Sequence, residues 1–285
     1  MKVVLPGKQK LNTKAIVIYT ISVITCIIAI IIVILSVFYG SDELDRLVTI
    51  GGSNSTQADA DYELLVSNFD NIFQNQLEDY NIDVDVKKKD ENQDLIYTYY
   101  IKEESKENSY DLHLNIPYIN IDNEIIDQYN QEIKETFEDK AENTLKTENR
   151  NTIYSVQYEA TIENDILSLM IRSDLKEGAS AQRVIIQTYN YDLKNNKEVH
   201  LEDVITNKQW TVEDVEAKVK DKITTEQQRV QDLISLGYSV FERNPEDEMY
   251  KVENSKVFFI KDGNIYIIYA YGNENLTSEM DLVIV

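Results

Sequence analysis

Residues 15 to 39 read AIVIYTISVITCIIAIIIVILSVFY, without one charged side chain. As a helix at about 1.5 Å per residue, such a run crosses the roughly 30 Å hydrocarbon layer of a bilayer. A secretory signal peptide has a shorter apolar stretch, about 7–15 residues, followed by a small-residue cleavage site. Phe38-Tyr39-Gly40 is a poor site of that kind, so residues 15–39 are expected to be an uncleaved transmembrane signal anchor. Lys2, Lys8, Lys10 and Lys14 precede the span, and Asp42, Glu43 and Asp45 follow it. The positive-inside rule then places residues 1–14 in the cytoplasm as a short tail. Everything after Gly40 lies outside, on a single-pass protein of the cell membrane.

Cys26 is the only cysteine and falls within the span. Thr25 stands where a lipidation motif wants Gly, Ala or Ser, and apolar residues continue well beyond it, so Cys26 reads as a plain membrane residue. The exterior part has no disulfide, and its stability must come from its core. That usage suits a bacterial envelope of the Gram-positive type better than a eukaryotic secretory pathway.

The chain carries 51 acidic and 28 basic residues, a net charge of −23. Setting aside the four lysines before the span leaves about −27 for the rest. Such a surface repels nucleic acid and anionic wall polymers and attracts cations and basic proteins. No nucleic-acid partner is expected, and solvation of a soluble surface accounts for most of the charge.

Residues 40–61, with Gly51-Gly52-Ser53, read as a flexible stalk. Residues 62–94 hold an amphipathic helix and a connector. The helix is expected over Tyr62 to Asp79, where Leu65, Phe69, Ile72, Phe73 and Leu77 fall at helical spacing. Residues 95–285 form an exterior domain, divisible into 95–180 and 181–285. In YSVQYEATIE, Tyr154, Val156, Tyr158, Ala160 and Ile162 alternate with polar residues, so one face should be buried and the other wet. Asn164-Asp165 and Asp262-Gly263 mark tight hairpins, and Lys194 to Lys197 a further turn. Helical spacing recurs from Asn123 to Leu145 and from Val212 to Leu236. The expected fold class is α+β, a mostly antiparallel sheet with covering helices, preceded by one transmembrane helix.

Motifs of chemistry are absent. There is no GxSxG, HExxH, phosphate loop or dinucleotide fingerprint. The expectation is no catalytic residue, no cofactor and no metal. His113 sits in a strand and His200 at the end of a hairpin, with nothing local to bring them together. Asp192 to Asp203 is rich in oxygen ligands but lacks the central Gly and spacing of a calcium loop. With 51 acids, suitable carboxylate pairs arise by chance. Tyrosine is more suggestive, with 19 against one Trp. Tyr189, Tyr191, Tyr269 and Tyr271 are the candidates for ligand contact on an exposed groove, against the alternative that Tyr simply favours half-buried strands.

Three runs, NTIYSVQYEATIENDILSLMIRS, QRVIIQTYNYDLKNNKEVHLEDV and KVFFIKDGNIYIIYAYGNENLTSEMDLVIV, come in a familiar order. Over about residues 95 to 285 the chain resembles the exterior domain of anti-sigma-V factors. It is also similar to the non-catalytic amino-terminal module of a peptidoglycan deacetylase, a domain of unknown function. The resemblance implies a binding fold rather than an active site, and its lysozyme-sensing members imply a cationic extracellular partner such as lysozyme. There are three departures. The loop from Glu177 to Gln182 lacks the histidine and proline of many relatives, the deacetylase's catalytic domain is missing, and the 14-residue tail is too short to enclose a sigma factor. The leading expectation is a non-enzymatic, membrane-anchored binding or sensing domain of the cell envelope. The alternatives are an enzyme acting on cell-wall glycan and a structural partner of another membrane protein.

Overall fold

A computed structural model of the chain describes residues 57–78, 84–146 and 151–285. The expected tail and span, with the stalk up to residue 56, lie outside the described residues. Among the described residues, no helix is long and apolar enough to cross a membrane. Asp61–Val285 form one unit with a mixed α+β architecture.

Six strands lie side by side in chain order: β1 (Ile96–Lys106), β2 (Tyr110–Ile119), β3 (Thr152–Glu163), β4 (Ile166–Glu177), β5 (Arg183–Asp192) and the short β6 (Lys197–Glu198). All neighbours are antiparallel except β2 and β3, which run parallel. A parallel pair needs a long crossover, and the helical stretch between these strands supplies it. After α1 (Gln57–Asn68), that crossover holds α2 (Glu124–Ile133), a π-helical turn (Lys134–Glu138) and α3 (Asp139–Lys146). The Asn123 side chain caps α2 by accepting the Ile125 N–H at 2.8 Å. At the β3–β4 turn Asn164 and Asp165 both take positive φ, the conformation a two-residue hairpin requires. A boundary at residue 180 would separate β5 from β4, to which it is paired from Arg183 to Asp192.

Alternation decides which side chains meet. Tyr154, Val156, Tyr158, Leu167, Leu169 and Ile171 face the crossover, where Ile126, Ile133, Phe137 and Ala141 cover them. A second sheet, β7 (Phe258–Lys261), β8 (Asn264–Ala270) and β9 (Met280–Ile284), packs on the opposite face. There Phe259, Tyr266, Ile268, Leu282 and Ile284 meet Met170, Val184 and Ile186, joined by Phe69 and Phe73. The outer face of this second sheet is closed by α4 (Leu201–Asn207) and α5 (Val212–Ser235), through Val204, Ile205, Val215, Val219 and Ile223. The layers therefore run helix, sheet, sheet, helix.

This arrangement corrects the expectation of a wet face on β3. Glu159 and Thr161 lie on that face and are buried, because the second sheet covers them. Glu159 accepts the Gln74 N–H at 2.9 Å and the Lys261 ammonium at 3.1 Å, and Glu78 pairs with the same lysine. Polar side chains of the first sheet also complete the edge of β7. Thr188 accepts the Phe258 N–H at 3.1 Å, and Asn190 donates to the Phe258 carbonyl at 3.0 Å. Ser168 accepts the Ile260 N–H at 3.1 Å, and Thr161 donates to the Ile260 carbonyl. Four side chains thus stand in for a neighbouring strand.

The first helix is shorter than its apolar spacing implies. It gives way to a 3-10 turn at Phe69–Asn71, and Asn75 takes positive φ. The chain then runs extended, with Leu77 bridged to Ala160 in parallel. Leu77 belongs to the core through that pairing, not through a helical stripe.

Candidate functional site

The four candidate tyrosines fall into two separate pairs, and all four rings are buried. Tyr189 and Tyr191 point from β5 toward the crossover helices. Tyr189 lies 4.9 Å from the Tyr129 ring centre and donates to Gln187 Oε1 at 2.9 Å, and Tyr191 donates to Asn196 at 3.1 Å. Tyr269 and Tyr271 belong to the core between the second sheet and α4 and α5. Tyr269 shares a hydrogen bond with Ser255 at 2.9 Å. Tyr271 stacks on Phe241 at 4.1 Å and donates to Asp281 at 2.5 Å. Burial pushes the hydroxyl pKa of Tyr189, Tyr269 and Tyr271 upward. Strand alternation packs Tyr189 and Tyr191 against the crossover helices, whereas Tyr269 and Tyr271, though mostly buried, form part of the wall of a surface recess.

The histidines also find local explanations. His113 is exposed on β2 between Glu103 and Asp111, and hydrogen bonding to Glu103 raises its pKa. His200 is the residue before α4 rather than a strand residue. Its N–H donates to Asp203 at 3.1 Å. Asp192 spends its oxygens on its own turn, accepting the N–H groups of Lys194 at 3.0 Å and Asn195 at 2.8 Å. Among the described residues, no three His, Cys, Asp or Glu side chains gather where they could hold a metal.

The surface has three notable recesses. One, of about 460 Å³, lies at the start of β1, with Glu78, Asp94, Tyr97 and Tyr158 in its walls. Another, of about 310 Å³, is walled by Phe241, Met249, Tyr269 and Tyr271. Close to it, Arg243 is buried and ion-paired with Asp281 at 3.0 Å and with Glu279, so its charges are matched internally.

The third, of about 340 Å³, opens beneath the loop that joins β4 to β5. Thr136 of the π-helical turn and Lys140 of α3 form one wall. Tyr154, Leu175, Ile185 and Gln187 form the sheet side, with Ser180, Ala181 and Leu276 at the rim. Lys140 pairs with Glu177 at 2.9 Å. Arg183 completes the set, and its position depends on the turn after β8. Gly272 in that turn lies so close to β5 that an added Cβ would sit 1.9 Å from the Val184 carbonyl oxygen. Only glycine permits that approach. Arg183 donates to the carbonyls of Gly272 and Asn273, the latter at 2.6 Å. Asn273 in turn clasps Ile186, accepting its N–H at 2.9 Å and donating to its carbonyl at 2.8 Å.

Arg183 is the one arginine among the described residues without a carboxylate in ion-pair reach; Arg172, Arg229 and Arg243 all have one. The lining of this cleft therefore carries one surplus positive charge on a strongly acidic protein. Sequence reasoning passed over Lys140, Arg183 and Asn273, which come from three distant parts of the chain. The small residues Gly178-Ala179-Ser180-Ala181 were the available signal, since their short side chains leave the space open.

No protein-family model matches the sequence, and no curated protein matches it. Among solved structures, a DUF3298 family protein from Pseudomonas aeruginosa PAO1 is similar at 12% identity and TM-score 0.37, covering 63% of this chain and 82% of that one. A DUF3298 family member from Bacteroides fragilis is similar at 10% identity and TM-score 0.32, covering 56% of this chain and 61% of that one. Both likenesses are distant. They carry no argument about the cleft, and they do not show the resemblance to anti-sigma-V factors or to the deacetylase module.

Proposed function

We propose that this chain is a membrane-anchored domain displayed on the outer face of a bacterial envelope, where it binds a cationic protein partner such as lysozyme. The observation that carries the reading is the asymmetry of charge about residues 15–39, with lysines before the uncharged run and a net of about −27 after it. An acidic surface of that size accelerates encounter with basic proteins and makes their binding salt-dependent. Full-length protein in nanodiscs, offered lysozyme and polylysine over a series of salt concentrations, should retain both at low salt and release them as salt rises. Failure to retain either at the lowest salt would remove the cationic partner. A single cysteine placed at Ala60 and treated with a membrane-impermeant maleimide tests the orientation separately. Labelling in intact cells is expected, and labelling only after lysis would reverse the topology.

A further inference from the structure

The cleft beneath the β4–β5 loop has a chemistry opposite to that of the surface around it. Arg183 is held in place by two neutral carbonyls, so its position is fixed while no carboxylate among the described residues pairs with its charge. A guanidinium preorganised in this way is a ready partner for a planar carboxylate. Lys140 stands across the cleft, shared with Glu177. Beside these cations the walls are aliphatic, from Leu175 and Ile185, and Leu276 at the rim is 70% exposed. A further feature marks the same place. The helix wall is drawn out into a π turn, a distortion frequent at functional sites.

We propose that this cleft binds a short aliphatic peptide by its free carboxylate, which lies against Arg183 and Lys140 while the side chains contact Leu175, Ile185 and Leu276. The volume of about 340 Å³ is at the lower end for small-ligand sites and suits two or three small residues. Gln187, whose Oε1 already accepts from Tyr189, keeps its amide N–H groups for a peptide carbonyl. The site is separate from the acidic surface and does not depend on it.

The test is calorimetric titration of the full-length chain in detergent micelles with N-acetyl-trialanine, with its carboxamide and with inorganic phosphate. The acid should bind, and the amide and phosphate should bind at least tenfold more weakly. Arg183 also holds the Gly272 turn, so the variants are chosen elsewhere. Ala181→Trp fills the cleft from an exposed loop and should abolish binding, and Lys140→Ala should weaken it severalfold, both with unchanged circular dichroism and melting temperature. No binding of the acid, equal binding of acid and amide, equal binding of phosphate, or undiminished binding by Ala181→Trp would each overturn the proposal.

Discussion

At the scale of single residues, the close contacts belong to glycine and to buried charge. Gly272→Ala would drive a methyl group into the Val184 carbonyl, so the turn must lift from β5. The expected loss is about 3 kcal/mol, read as a lowered melting temperature. Lys261→Met would leave Glu159 buried beside Glu78 without its cation. Breaking such a pair costs about 3–5 kcal/mol at neutral pH. Burial already raises the Glu159 pKa, so the penalty should shrink as acid protonates the carboxylate, and Glu159→Gln should recover part of it. Urea titrations at pH 7 and pH 5 measure both effects. His113 gives a milder signal. Its pKa is raised by Glu103, so whatever stability the pair contributes is present below about pH 6.5 and fades as pH rises through the higher folded value. Proton NMR should place the His113 midpoint above that of a free histidine, and Glu103→Gln should bring it back down.

At the scale of elements, hairpins were legible in the sequence because their determinants are local. Asn164-Asp165 and Asp262-Gly263 take the positive φ that their composition favours. The crossover helix was legible for the same reason, since Ile126, Ile133, Phe137 and Ala141 recur on one stripe. What the sequence hid was which faces meet. Thr161, Ser168 and Asn190 look like solvent-facing residues of alternating strands, yet each is buried and bonded to β7, between 68 and 99 positions away. The candidate tyrosines show the mirror image, with mostly buried rings whose polar tips find partners within the fold. Asn190→Ala strands the Phe258 carbonyl and removes the Ser168 contact, so it should cost about 2–3 kcal/mol in urea unfolding. Ser168→Ala should cost less, about 1 kcal/mol.

At the scale of the whole molecule, two kinds of recognition are separable. Association with a basic protein over the broad acidic surface should weaken steeply with salt. Capture of a carboxylate in the 340 Å³ cleft should weaken far less, since most of its contacts are short-range. The side-chain ladder that completes β7 also sets an order of events. Its anchors at Thr161, Ser168, Thr188 and Asn190 lie on three strands of the first sheet, and they present a usable row only after those strands have paired. Assembling the first sheet already requires the non-local parallel pairing of β2 with β3 across the crossover, the step expected to limit the rate, so the second sheet should dock after it. In stopped-flow experiments Ser168→Ala should therefore hasten unfolding and leave the refolding rate nearly unchanged. The union of the two sheets would then act as the latch that governs how long the folded molecule lasts, rather than how quickly it arrives.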